Sequence, residues 1–276
     1  MDNIYDFEST VEDRIAGLFV VLACLLGAFL LSAVIYGCLT LPSMRSPFGS
    51  LTLNQNIIQL IACFNTLSFY LFAVLLDIRL VTIHSYLSGD LAAILVVMIV
   101  SSFFLISINR LFAVITPFYY RHIFSKEFMG IYLSINWTYP ILAGLYVLVL
   151  RKCTYIYYPF GWVFDDAPEN DIEPCNNLLM PFLAYNQKFF ILATFLSDII
   201  TGIVLVFMRN KIYIEKSKET KRREINFALQ VLVQGGVFFA FGYCLVVFLC
   251  NMEYRRWITN KKRSTVVSVV GRSTTH

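Results

Sequence analysis

Residues 107–120 read SINRLFAVITPFYY, the end of an apolar run that closes on an Asn-Arg pair and then turns aromatic around a proline. Between residue 91 and Arg110 the run holds no Lys, Arg, Asp or Glu. It is close to the roughly 20 apolar residues that a helix needs to cross about 30 Å of hydrocarbon. A charged side chain at the centre of a bilayer is costly, so one at the end of such a run belongs at the membrane edge. Arg110 then has two readings. It is an anchor whose long stem reaches out to the headgroups, or it is part of a switch.

Working outward, the same kind of run recurs at about 15–41, 54–76, 128–150, 189–208 and 225–250, with no charge between Ile15 and Leu41. The whole chain is 58% hydrophobic and only 14% charged, with a mean hydropathy of +0.68, far from a water-soluble balance. The expected fold is an all-α polytopic bundle with five clear spans and a sixth that is harder to place. The lipid bilayer is its first partner. The start, MDNIYDFESTVEDR, is acidic where a cleavable signal would be basic, so the first span is expected to serve as an uncleaved targeting signal. No phosphate-binding glycine loop, zinc spacing, GxSxG or HExxH occurs. The three histidines, His84, His122 and His276, lie outside the apolar runs. No cofactor, metal, nucleic acid or enzymatic chemistry is expected.

Basic residues near span ends set orientation, because they resist translocation. The N-terminus carries Asp2, Asp6, Glu8, Glu12 and Asp13 against Arg14. Loop 42–53 has Arg45, loop 115–127 has Arg121 and Lys126, and loop 209–224 has Arg209, Lys211, Lys216, Lys218, Lys221, Arg222 and Arg223. Loop 151–188 instead holds Asp165, Asp166, Glu169, Asp171 and Glu173 against Arg151, Lys152 and Lys188. The alternation predicts a plasma-membrane protein with its N-terminus outside and those three basic loops in the cytosol. The tail conflicts with this pattern. Residues 251–276 carry Arg255, Arg256, Lys261, Lys262, Arg263 and Arg272, yet one run alone separates them from the basic third loop. At about 1.5 Å per residue that run reaches roughly 39 Å, too short for two crossings.

The quoted stretch resembles the DRY-x-A-x-x-x-P-x-x-Y signature of rhodopsin-like G-protein-coupled receptors, with Asn109 in place of the acid, then Arg110, Ala113, Pro117 and Tyr120. More closely, INRLFAVITPFYYRHIFS resembles the nematode serpentine receptors of class X. Residues 221–230 (KRREINFALQ), Cys153, Trp162, Val163, Phe164, Cys175 and Trp137 also fall where that family has its own motifs. The resemblance covers roughly residues 15–256, taken as one serpentine-receptor transmembrane domain, with 257–276 as a basic, polar cytosolic tail. It implies seven spans, a small-molecule ligand bound from outside, a heterotrimeric G-protein partner and a capacity to pair with related receptors. Asn109, Arg110, Pro117, Tyr120, Arg222, Arg223 and Glu224 would then serve coupling. Because Asn109 carries no charge, a resting lock at this pair would be hydrogen-bonded rather than ionic. Residues 242–255, GYCLVVFLCNMEYR, resemble the family's end of span seven. The sixth run then reads as the cytosolic halves of spans six (225–240) and seven (241–256) joined directly.

Asp198 is the one acid deep inside a run. It is a ligand contact, or a carboxyl hydrogen-bonded to polar neighbours such as Asn65 or Gln59. The absence of a Lys within a run argues against a retinal Schiff base. Cys153 and Cys175 share an outer loop, and a bond between them would close about 23 residues, which stabilises such a loop by roughly 3 kcal/mol. Gln55, Gln59 and Cys63 share a helix face, as do Asn226, Gln230 and Gln234; packing against neighbouring helices is the expected use. The functional alternatives to a signalling receptor are a shortened, non-signalling isoform and a secondary transporter. The latter predicts repeats and several intramembrane charges, which the chain does not show.

Overall fold

The computed structural model describes residues 11–40, 44–150, 153–158, 163–166 and 184–212. All belong to the first of the two units into which the chain divides, Met1–Lys218 and Glu219–His276. The run at 225–250, the boundary at residue 256 and the tail lie outside the described residues.

Five described helices are long and apolar enough to cross a membrane. Helix α1 (Val11–Thr40) is the first. Along its length Leu22, Leu26 and Phe29 face away from the bundle, Phe29 with 71% of its surface exposed. Hydrocarbon solvates such side chains as well as a protein core does, so an apolar exterior is the stable one here. Helix α2 (Pro47–Phe69) begins earlier than its apolar run because local chemistry starts it. Pro47 occupies the first turn, where its missing N–H costs nothing, and Ser46 Oγ accepts from Gly49 N at 3.2 Å. A π-helical segment, Tyr70–Leu75, continues it. Asp77 then turns the chain at a φ of 52°, a conformation that Asp tolerates better than most residues.

After the short helix α3 (Arg79–Ile83), α4 (Ser85–Ile115) forms the buried axis, packed against α2, α6 and α7. Helix α5 (Pro117–Ile123) is a short element inside the expected loop 115–127, again opened by a proline. Helix α6 (Lys126–Gly144) continues as a π-helical segment to Leu150, and α7 spans Asn186–Ile212. Between them the expected all-α pattern gains a feature not foreseen: strands β1 (Tyr155–Tyr158) and β2 (Val163–Asp166) pair antiparallel, Tyr155 opposite Asp166.

The helices alternate in direction, as the side-chain contacts at the two ends require. At one end Leu51 of α2, Ile106 of α4, Phe124 beyond α5 and Met129 of α6 form one apolar cluster. At the other, the hairpin docks on the start of α4: Tyr155 N donates to Asp90 Oδ1 at 2.9 Å and Tyr157 N to Ser85 Oγ at 3.3 Å. The Tyr157 ring packs edge-on against Phe69 and Tyr70 of the α2 end. Burial, with Tyr70 and Asp13 beside it, pushes the Tyr157 hydroxyl pKa upward, so it stays protonated.

Between the ends, polar groups pair across helices because hydrocarbon offers them no other partner. Trp137 Nε1 donates to Asn54 Oδ1 at 2.7 Å, tying α6 to α2, and Ser101 Oγ donates to Asn136 Oδ1 at 2.6 Å, tying α4 to α6. Asn65 and Ser88 clamp α2 to α4 reciprocally, Asn65 Nδ2 to Ser88 O at 3.0 Å and Ser88 Oγ to Asn65 Oδ1 at 3.1 Å. Gly17 lets α1 close on α2, since a methyl there would meet Val74 at 2.9 Å.

Trp137→Phe is expected to lower the thermal midpoint of the detergent-solubilised protein by an amount equivalent to about 0.6–2 kcal/mol, since it strands the Asn54 oxygen. Adding Asn54→Leu should recover much of the loss, which a thermal-shift series on the two single variants and the double variant would read directly. Gly49→Ala should destabilise independently, because the new methyl would be driven into the Met44 carbonyl.

Candidate functional site

Arg110 lies in the last two turns of α4 with 3% of its surface exposed, beside Asn109 at 2%. The sequence places this guanidinium at the membrane edge; the structure folds it inward between helices. Its Cζ sits 5.3 Å from the centre of the Phe48 ring, at the start of α2. A cation over an aromatic face is attracted by the ring's electron-rich surface, and the attraction strengthens where water is excluded. The snorkelling anchor therefore does not describe Arg110 in this conformation.

The following turn is set by Thr116 and Pro117. Thr116 N donates to Phe112 O at 3.0 Å and ends α4 in a non-helical conformation, as a residue preceding proline favours. Pro117 then opens α5. One turn on, Tyr120 returns toward α4, where its hydroxyl oxygen accepts from Asn109 Nδ2 at 3.3 Å. The Tyr120 ring lies 5.4 Å from Phe124, which in turn meets Phe112 and Tyr132. Thus three of the residues singled out in the quoted motif, Asn109, Arg110 and Tyr120, converge at the α4–α5 corner, and Pro117 makes the corner itself. Arg222, Arg223 and Glu224 lie outside the described residues.

Asp198 of α7 stands in the same region rather than at the hairpin end. Ser107 Oγ donates to Asp198 Oδ1 at 2.6 Å and lies 3.3 Å from Thr194 O. Of the partners anticipated for this carboxyl, Asn65 is committed to Ser88 instead. Ser107 thus holds this carboxyl on the face of α4 that also carries Arg110, three residues further on. Two residues that sequence reading passed over, Ser107 and Phe48, prove to be neighbours of this pair. Ser107 precedes Arg110 by three positions and so shares its helix face, which is a readable signal. For Phe48 no signal existed, because its meeting with Arg110 depends on how α2 packs on α4.

On its outer side α5 presents Phe118, 93% exposed, and Tyr119, 70% exposed, alongside the basic residues Arg121 and His122. At the opposite end of the bundle, Cys153 is disulfide-bonded and packs among Ala93, Val97, Val147 and Leu148. Cys175, its expected partner, lies outside the described residues. Cys24, Cys38 and Cys63 are free thiols in α1 and α2. Asn136, which begins an Asn-Trp-Thr sequence inside α6, is buried and accepts from Ser101 Oγ.

Squid rhodopsin superposes with a TM-score of 0.69 over 85% of this chain, at 13% sequence identity, a likeness that concerns the fold. The chain spans 66% of the length of that receptor. In sequence it is 34% identical to serpentine receptor class X-43 of Caenorhabditis elegans, across 92% of this chain and 90% of that protein. That match runs over 290 residues, longer than the 276 present here, so the relative holds residues within it that this chain lacks. Residues 21–270 match the family described as the serpentine-type 7TM GPCR chemoreceptors, Srx. With its membrane-crossing helices and rhodopsin-like bundle, the chain belongs to the class X serpentine receptors, a chemoreceptor branch of the seven-transmembrane G-protein-coupled receptors.

Proposed function

We propose that this receptor binds a small molecule at the hairpin end and signals to a heterotrimeric G protein through the α5 end. The observation that carries this reading is the α4–α5 corner. A buried guanidinium, a hydrogen-bonded Asn-Tyr pair and an exposed aromatic-basic helix lie together at one end of the bundle. A charge held between helix ends is a natural two-state element, because a small shift of those ends changes whether it faces protein or a partner. Phe118 and Tyr119 supply the amphipathic aromatic surface that protein interfaces favour.

Orientation follows from charge. The antiparallel arrangement collects Arg45, Arg121 and Lys126 at the α5 end, and basic residues are retained in the cytosol. The hairpin end, with its disulfide, then faces outward, where oxidising conditions preserve such bonds. Residence in the plasma membrane with the N-terminus outside is part of the same proposal, as are the pairing of Cys153 with Cys175 and a role for Arg222, Arg223 and Glu224 in coupling.

A second reading has an observation of its own in the residues that the longer relative carries and this chain lacks. If those fall in the run 225–250, the chain is a shortened isoform whose sixth run joins parts of spans six and seven. It would then pair with longer receptors rather than signal alone.

In cells expressing the chain with a Gα panel, odorant mixtures should evoke Ca²⁺ or cAMP signals. Arg110→Ala should abolish them at unchanged surface expression, and Phe118→Ala should weaken them about tenfold, the scale of one good interface contact. Signals that survive Arg110→Ala would refute coupling through this end, whereas signals that appear only when the missing segment is restored would favour the isoform. Separately, an epitope tag at Met1 should be stained on intact cells, and a tag inserted after Lys218 only after permeabilisation. The reverse pattern would place the α5 end outside and remove the proposal.

A further inference from the structure

A guanidinium withdrawn from water is held most firmly by an opposite charge, and the position beside Arg110 offers none, since Asn109 is neutral. Asp198 is the one acid in α7, and the structure brings it to the Arg110 face of α4. Ser107 fixes its position: the hydroxyl reaches Asp198 Oδ1 at 2.6 Å and lies 3.3 Å from Thr194 O, one turn back on α7. Ser107 and Arg110 share a helix face three residues apart, so a carboxylate held by the first lies within electrostatic reach of the second. The Phe104 ring, three residues before Ser107, packs on Phe189 and Phe190 and keeps α7 seated along the same face.

Depth separates this role from ligand contact. At 1.5 Å per residue, Ser107 stands roughly 12 Å from the α5 end of α4 and roughly 33 Å from its hairpin end. A molecule entering from the hairpin end would have to pass most of the bundle to meet Asp198. Arg110, in contrast, follows Ser107 by less than one turn of α4, and its Cζ lies 5.3 Å from the Phe48 ring centre.

We infer that Asp198 is the counter-ion that holds Arg110 in its buried position, so that α7, through Ser107 and Asp198, sets the resting state of the α5 end. This rests on the reading that the α5 end couples to a G protein. It adds that the negative partner comes from the fifth crossing helix rather than from the residue beside the arginine. Asp198 is accordingly a positioning residue. It need touch neither ligand nor G protein. Loss of its charge would lower the preference for the buried arginine and populate the released state without ligand.

The test uses the full chain in two assays. In detergent, thermal unfolding of Asp198→Asn, Arg110→Gln and the double variant forms a cycle. If the charges are partners, the second substitution should cost clearly less once the first is present, and strictly additive shifts would overturn the inference. In membranes with purified heterotrimer, Asp198→Asn should raise ligand-independent GTPγS uptake by roughly three- to tenfold. Asp198→Glu should stay near wild type, and Arg110→Gln should cancel the rise. If Asp198→Asn folds poorly, Ser107→Ala loosens the same carboxylate without removing it and should raise uptake in the same direction. Wild-type uptake above that of empty membranes with no increase in either variant would overturn the inference and leave coupling intact. Uptake at the empty-membrane level in every variant, together with a coupled thermal cycle, would instead sink the coupling proposal and retain the charge pair.

Discussion

A guanidinium withdrawn from water into a bundle of apolar helices cannot be left without compensation, and much of the α5 end is arranged around that requirement. Arg110 cannot lose its charge at any physiological pH, so the surroundings must supply what water no longer does. Three elements contribute. Helix α2 brings the Phe48 ring, α7 brings a carboxylate positioned by Ser107, and α5 brings Tyr120 back to occupy the neighbouring Asn109. None of these is strong alone. Their convergence on one corner links four elements by a single buried charge, and such a junction has few intermediate arrangements.

The same constraint operates more mildly along the rest of the bundle. Hydrocarbon does not drive helices together, so association relies on close packing and on polar pairs that lipid cannot satisfy. Asn54 with Trp137, Asn136 with Ser101 and Asn65 with Ser88 join α2, α4 and α6 at successive depths. Small residues admit close approach where α1 meets α2 at Gly17 and Gly27. The outward faces need only be apolar, and those of α1 and α7 are. This division explains why α4, packed against α2, α6 and α7, carries most of the buried serines among the described residues, including Ser101, Ser102 and Ser107.

The five crossing helices were legible from hydropathy within a few residues at most ends. The exceptions have local causes. Helix α2 starts at Pro47 rather than near residue 54, because a serine cap and a first-turn proline can begin a helix in polar sequence. Helix α5 arises inside a stretch read as loop, too short to show an apolar period. The β1–β2 pair was missed because its strands are only four residues each, inside a long loop read for its charge. Its docking depends on Ser85 and Asp90, some 65 positions or more away in sequence. At the site, the motif spacing singled out Asn109, Arg110, Pro117 and Tyr120, which the fold gathers at one corner because they lie on consecutive turns. It said nothing of Phe48, and it offered Asp198 a ligand or polar neighbours such as Asn65 or Gln59, whereas Ser107 holds it.

What the sequence by itself determined is the solvent, the family and the local geometry: long uncharged runs must cross a bilayer, and residues a few positions apart must share a helix face. What only the tertiary structure decided is which faces meet. The partner of Asp198 is 91 residues away along the chain, and no local pattern encodes that distance. Electrostatic attraction in a low-dielectric interior depends on separation in space, and only the packing of α7 against α4 makes that separation small.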